Sequence, residues 1–593
     1  MFRRLLLAGL ALGSPLLAQE NLFIQAPRPT HPKDKTRIEV EALFSMAPPT
    51  GYLPVRVSVV NQRKTNGQLN FDTLSSTGYD EAGSQLESEF TVGSDAGTAR
   101  STDLLIPLTT ELDSTGGYGS TTVEVSMTGS FGGNRGSIPS NFHPEGPATL
   151  MSEVLYTPNS SALDAALNST SGGYGSHSFA ARFTPSKMPE DWRAYSGYDL
   201  MMLTPDDWRK MSPGATSSIL QWIRLGGRMV FYASGSAPTF GALGIEGETK
   251  GNDLDYGFGK VSISTISGPT ALNANDTVRR FHRAGATKIR GLNECISEDF
   301  SVRWPLHEEF GKQTFDYAIF VVVLIAFGVL VGPINLFVFA KSGKRHKLFI
   351  TTPVISLATS ALLIALILLR DGVGGRGARI ALIEVRPEAG ENRAYVLQEQ
   401  ISRTGVLLGG GFQVDEDVAI TPVPIADSPW ARLTPRTGGG GMRYTASFGD
   451  EGLKVTGDWF QSRSEQGQLA RAVVPTRGRI ELKGETGPPN FVSTFDFPIE
   501  RLYYADRSGG WWMASDLKAG SPTQGTPISE ADYNKAIGDQ GMLLAARHRS
   551  QLDRCAERSG HYVAIASEAP AIETFDSIRW SDTHTILTGP AVR

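Results

Sequence analysis

Few residue groupings in this chain have the types and spacing that chemistry demands. Asp206-Asp207 ends an apolar strand-like run, Tyr198–Leu203, at the place where open α/β sheets commonly gather ligands. The same pair also serves to stop a strand and start a turn. Trp511-Trp512 follows Gly509-Gly510, and paired aromatics beside a two-glycine tip can stack on a sugar, although aromatics in sheet proteins more often pack. Cys295 and Cys555 are the only cysteines, too few for a structural zinc site and too far apart for a CxxC pair. Outside the cytoplasm they could form a disulfide between domains; otherwise they are two separate buried thiols. Glu298-Asp299 and Glu308-Glu309 read as solvated surface rather than metal ligands, and no metal or cofactor is expected.

The clearest pattern concerns a membrane. Ala318–Ala340 runs for about 23 residues without a formal charge, enough at 1.5 Å per residue to cross a hydrocarbon core of roughly 30 Å. Leu348–Leu369 is a second such run. The short loop between them holds Lys341, Lys344, Arg345 and Lys347, and the positive-inside rule makes it cytoplasmic. At the N-terminus, Arg3 and Arg4 precede a short apolar run and Ala18, the layout of a secretory signal, with an uncleaved anchor as the alternative. The expected layout is a signal at 1–18, spans at 316–340 and 348–369, and a cytoplasmic loop at 341–347. Both flanking parts then lie outside the cytoplasm. Gly328 and Gly332 form a small-residue face followed by Pro333, and Asn335 needs a hydrogen-bond partner inside the bilayer. Thr352 of the second span is expected at the same depth; a polar gate is the other use for such an Asn.

The chain has 593 residues, a formal net charge of -5 and 20% charged residues, a balance with no basic footprint for nucleic acid. Its 65 glycines and 34 prolines punctuate short Val/Ile/Thr/Phe runs, so the regions outside the spans are expected to be largely sheet. Alternating runs at Thr36–Phe44, Tyr52–Asn61, Asp103–Leu108 and Thr121–Met127 predict a β-sandwich-like exported domain over 19–148. Over 149–300 the pattern becomes α/β. Strand Tyr198–Leu203, a helix opened by Ser212-Pro213 and closed by Gly226-Gly227, and strand Arg228–Tyr232 form one β-α-β unit with parallel pairing. From 371 to 593 further strand-like runs, with a helix near Ser529–Arg547, predict a β-rich domain.

Tyr198-Asp-Leu-Met-Met-Leu, Trp222-Ile-Arg-Leu-Gly-Gly-Arg-Met-Val-Phe and Tyr256-Gly-Phe-Gly-Lys-Val261 resemble the class I glutamine amidotransferase-like fold, in the form found in large, mostly uncharacterised bacterial membrane proteins. Gly332-Pro-Ile-Asn335 with its basic loop, and Trp459–Arg463 with Arg477-Gly-Arg479, are similar to the same group. The resemblance implies a nucleophile on the turn after Val230–Tyr232. If Gly235 matches the family's glycine, the nucleophile position is Ala233, which carries no thiol or hydroxyl. A shifted register makes Ser234 the candidate, without a motif that brings His177 or His282 to it as a base.

The fold class expected is an α+β multidomain membrane protein: an N-terminal β-sandwich, an α/β amidotransferase-like domain, a two-helix transmembrane hairpin and a C-terminal β-rich domain. The function expected is a non-catalytic scaffold or binding protein in the bacterial inner membrane, its large domains periplasmic, contacting the lipid bilayer and a protein partner or envelope glycan. The alternatives are a periplasmic hydrolase or amidotransferase using Ser234, and a subunit of a transport assembly.

Overall fold

A computed structural model describes residues 22–25, 35–77, 85–110, 122–143, 146–171, 176–282, 291–300, 303–311, 317–340, 342–371, 374–388, 391–407, 412–414, 417–425, 428, 443–449, 452–457, 459–483, 487–574 and 577–592. The signal-like segment 1–18 and Lys341 lie outside them. The fold is α+β, with several sheets and two apolar helices.

The alternating N-terminal runs become strands whose inward residues are buried one in two, as in Arg37–Ala42 and Gly67–Ser76. They form two sheets. One orders strands 22–25, 37–42, 51–60 and 99–108; the other contains 85–94, 67–76, 122–129 and 134–139. Val40, Val55, Val57, Phe71, Val123 and Met127 fill the space between them. Each such side chain contributes about 1.5–3 kcal/mol relative to exposure. The second sheet continues into residues from the far end of the chain: Arg443–Gly449 runs parallel to Gln85–Ser94 and pairs with Gly452–Gly457, which pairs with Phe412–Val414.

A seven-stranded sheet follows, in the order 181–183, 149–152, 200–203, 228–234, 259–266, 253–256 and 248–250. Its first five strands are parallel, and the last two return as an antiparallel hairpin. Between Leu200–Leu203 and Arg228–Ser234 the chain forms helix Pro213–Arg224. Ser212 caps it by accepting from the Ala215 amide, Pro213 takes the first turn, and Ala215, Ile219, Trp222 and Ile223 are buried. Gly226, at φ +113°, ends it in a conformation that a side chain resists.

Beyond the apolar helices, a nine-stranded sheet carries the long antiparallel pair Gly375–Glu388 and Glu391–Thr404 near its middle. The helix expected near Ser529–Arg547 is broken into Glu530–Gln540, a short turn and Ala546–Ala556. One continuous apolar core links Phe44, Tyr198, Phe258, Trp304, Tyr395 and Tyr533, so residues before and after the apolar helices belong to one packed body.

The two apolar helices stand apart from that core. Val321–Phe339 and Arg345–Leu366 are each long and apolar enough to cross a membrane, and almost none of either is buried. Val322, Ile325, Phe337, Phe349 and Leu357 are among the exposed side chains. From Leu330 to Phe339 the first helix widens to π geometry around Pro333, whose missing N–H interrupts the α ladder; the Ala340 amide closes the stretch on the Asn335 carbonyl.

Candidate functional site

The features singled out in the sequence fall at separate places. Ser234 ends strand Arg228–Ser234, exposed, and Gly235 turns the chain at φ +86°. Its position suits a nucleophile. However, neither histidine weighed as a base is shown beside it: His282 packs against Phe179, and His177 against His143. Burial, reinforced by His143, holds His282 down at about 3, a neutral imidazole with a packing role.

Trp511 lies over Tyr533 at 4.4 Å between ring centroids, and Trp512 packs against the core of the nine-stranded sheet. Both rings are half-buried, so much of their stacking surface is already used. Trp459 and Phe460 are buried outright. Cys295 and Cys555 are buried, and the disulfide weighed from the sequence is not formed. Cys295 meets the Arg547 guanidinium at 3.9 Å, whereas Cys555 lies two turns farther along the helix that carries Arg547. Burial pushes the Cys555 thiol up to about 11, which keeps it protonated and unreactive.

In the hairpin, Asn335 is fully buried; its amide donates to Thr352 Oγ1 at 2.9 Å, and its carbonyl accepts from Thr351 Oγ1 at 2.6 Å. Gly328 and Gly332 do not share in this packing. A Cβ built on either would meet nothing within 4 Å, so the contact between the helices is made by Asn335 rather than by the glycine face. Lys344, Arg345 and Lys347 occupy the exposed turn between the helices.

The charged residues with the most elaborate surroundings were not distinguished in the sequence. Glu399, fully buried in strand Glu391–Thr404, accepts from Trp304 Nε1 at 2.8 Å and from the Ala545 amide at 2.9 Å, and pairs with His548 Nδ1 at 2.6 Å. It ties the segment leading into the first apolar helix to the C-terminal helices. Glu465 pairs with Arg403 at 2.6 Å, and Arg403 also donates to the Gly311 carbonyl, the last described residue before that helix. Burial disfavours the Glu465 charge, yet His307, Ser428 and Arg403 hold its carboxyl below the usual range. Glu384 is likewise held low against burial by Arg386, Arg558 and Arg224. Arg558 and Arg554 donate to the carbonyls of Gly257 and Phe258, in the turn between strands Asp253–Tyr256 and Gly259–Ile266. A Cβ on Gly257 would lie 2.6 Å from both Glu384 and the Arg224 backbone, so only glycine lets the two sheets close here. Asp199, just before strand Leu200–Leu203, accepts from the Ala148 and Leu292 amides and from Arg547. Burial raises its pKa despite these donors.

Asp206 and Asp207 begin a short helix, Pro205–Lys210, rather than the turn expected. Asp206 is exposed and pairs with Arg209. Asp207 is fully buried and forms a capping box with Thr204, its Oδ2 accepting from the Thr204 amide and hydroxyl. Its Oδ1 has no hydrogen-bond partner. Beside it opens a groove of about 660 Å³, at the carboxyl ends of strands 149–152, 181–183 and 200–203. Among the described residues no group of three or more His, Cys, Asp or Glu side chains is placed to hold a metal ion.

No protein-family model matches the chain, and no curated protein matches it. Among solved structures, a calcium-binding mutant of Bacteroides uniformis beta-glucuronidase 2 is 11% identical at a TM-score of 0.14, covering 38% of this chain and 25% of that one. A beta-glucosidase from Kluyveromyces marxianus in complex with glucose is 9% identical at a TM-score of 0.08, covering 87% of this chain and 52% of that one. The chain thus spans a quarter and about half of those two chains, and at such TM-scores neither likeness bears on fold or activity.

Proposed function

We propose that this chain is a non-catalytic scaffold or binding protein of the bacterial cell envelope, anchored in the inner membrane by a two-span hairpin with both flanking parts outside the cytoplasm. The observation that carries this reading is the union of sequence from both sides of the hairpin. Arg443–Gly449 lies parallel to Gln85–Ser94 in one sheet, and Glu399 bonds Trp304 across the apolar helices. Strands that share a sheet occupy one compartment. An even number of crossings meets that requirement, and two exposed apolar helices joined by a basic turn supply two.

On this reading the portion around 149–300 is an amidotransferase-like domain without its nucleophile, retained for contacts with a protein partner or an envelope glycan. Support for a non-catalytic role comes from Ala233 at the nucleophile position and from the packing of His177 and His282 against other rings. Asn335 spends its amide within the hairpin, which favours an anchor over a pore lining. The test compares the intact membrane protein with its Ser234→Ala variant on broad amidase and esterase substrates. Equal rates at the background level are expected, and activity lost on substitution would establish the hydrolase reading. Recovery of a partner with the intact chain from crosslinked membranes would identify what the scaffold holds.

A further inference from the structure

Three arginines stand abreast where the nine-stranded sheet meets the apolar helices. Arg376 is paired in register with Arg579 on one neighbouring strand and with Arg403 on the other. Neighbouring strands lie about 4.8 Å apart, and like charges set directly opposite one another destabilise a sheet. A carboxylate relieves only one end of this row: Arg403, buried, pairs at 2.6 Å with Glu465 on the next strand. Arg376 and Arg579 are exposed, and among the described residues neither forms an ion pair. Glu308 is spent on Arg303, and Glu573 on Arg379. Arg376 lies over the Phe310 ring at 5.4 Å, a ring that it shares with Arg403 at 4.7 Å, and such a contact leaves the positive charge without a counter-charge.

The place of the row in the fold says what supplies the missing charge. Phe310 ends the short helix Pro305–Phe310, shortly before the first apolar helix begins at Tyr317. Strand Gly375–Glu388 starts soon after the second apolar helix ends at Asp371. Even fully extended, the chain from Asp371 to Arg376 spans no more than about 18 Å. The row therefore lies at the end of the sheet beside both connections to the hairpin. Strand His561–Ile565 joins strand Ile578–Pro590 only from Ile586 onward, which leaves the flank of Arg579 open. A guanidinium fork matches two oxygens of a phosphate, so one phosphate set between two arginines turns a repulsive pair into an attractive cluster.

We propose that Arg376 and Arg579 bind the headgroup phosphate of an anionic phospholipid in the outer leaflet of the membrane that the hairpin crosses. A soluble phosphate shares this chemistry, but an exposed cationic pair next to both apolar helices meets lipid headgroups at far higher local concentration. The inference rests on the reading of those helices as membrane spans.

The test is native mass spectrometry of the full chain in an uncharged detergent with equal amounts of phosphatidylglycerol and phosphatidylcholine. Lys344→Gln, Arg345→Gln and Lys347→Gln are made first, to remove the cationic turn at the other end of the hairpin. Retention of phosphatidylglycerol over phosphatidylcholine by about fivefold or more is expected. Adding Arg376→Gln and Arg579→Gln together should bring the ratio close to parity. Without added lipid this pair of substitutions should leave the unfolding midpoint unchanged or raised, since it removes a repulsion between exposed groups. Arg579→Gln alone, at the open flank, should lower the preference severalfold, and Arg303→Gln, already paired with Glu308, should keep it. Equal retention of the two lipids, or a preference that survives the loss of Arg376 and Arg579, would overturn the proposal. So would glycerol phosphate raising the unfolding midpoint as much as phosphatidylglycerol does, which would assign the site to a soluble phosphate. Carbonate extraction of the same membranes separates the two readings: a chain that resists extraction yet shows no lipid preference fails this proposal alone, whereas a chain that is released removes the anchor and this proposal with it.

Discussion

Glu399 has no charged neighbour in sequence, since Gln398 and Gln400 flank it, yet it gathers Trp304, Ala545 and His548 around one fully buried carboxylate. Removing one partner of such a group leaves the others desolvated and unpaired. Glu399→Ala is therefore expected to cost about 3–5 kcal/mol, read as a lowered unfolding midpoint of the detergent-solubilised chain, whereas Asp206→Ala, on the surface, should change little. His282 gives a second test. In the folded chain burial keeps it neutral down to about pH 3, while in the unfolded chain it takes a proton near the ordinary value of 6.5. Between these limits the unfolded state binds more protons, so stability is full above pH 6.5 and falls as pH drops toward 3. His561, held at about 4 by burial with Arg386 and Arg558 nearby, acts in the same direction. His282→Gln should flatten the acid side of the midpoint-versus-pH curve between pH 6 and 4, and an unchanged slope would count against a buried neutral imidazole. Glu399 and His561 did not stand out in the sequence, because a buried Glu in a strand and an exposed one look alike until the strand's neighbours are known, and His282 stood out only as a candidate base.

At the scale of elements, local signals carried well. Ser212-Pro213 and Gly226-Gly227 set the bounds of helix Pro213–Arg224 because capping and the left-handed turn are local chemistry, and the parallel pairing of strands 200–203 and 228–234 follows from the short connections of that unit. Asn335 and Thr352 meet as their depth in two antiparallel runs requires. The glycine face failed for a related reason: Gly328 and Gly332 mark where a close approach is allowed, not which helix makes it. The break near Ala545 was invisible too, since it is fixed by Glu399 from a distant strand. At Asn335, Asn335→Leu deletes both interhelical bonds, so the hairpin should lose roughly 1 kcal/mol, with the unfolding of the outer body unchanged. Paired cysteines introduced at the helix ends, compared for disulfide yield in membranes, would read this loosening directly. A yield equal to that of the unmutated hairpin would mean that Asn335 does not hold the helices together.

For the molecule as a whole, the domain-like composition shifts near 149 and 371 mislead in one respect. The sheet containing Gln85–Ser94 takes in Arg443–Gly449 and Gly452–Gly457, and Arg558 reaches Gly257 across more than half the sequence. Long-range strand pairing of this kind leaves no local trace, because each strand reads alike whichever neighbour it finds. It nonetheless makes the topology testable, since a body built from both flanks can assemble on only one side of the bilayer. The direct measurement places a reporter that is active only outside the cytoplasm after Gly374, and separately after Lys344 in the basic turn. Activity at Gly374 and silence at Lys344 is the expected result. Activity at Lys344 with silence at Gly374 would contradict the anchored-hairpin account.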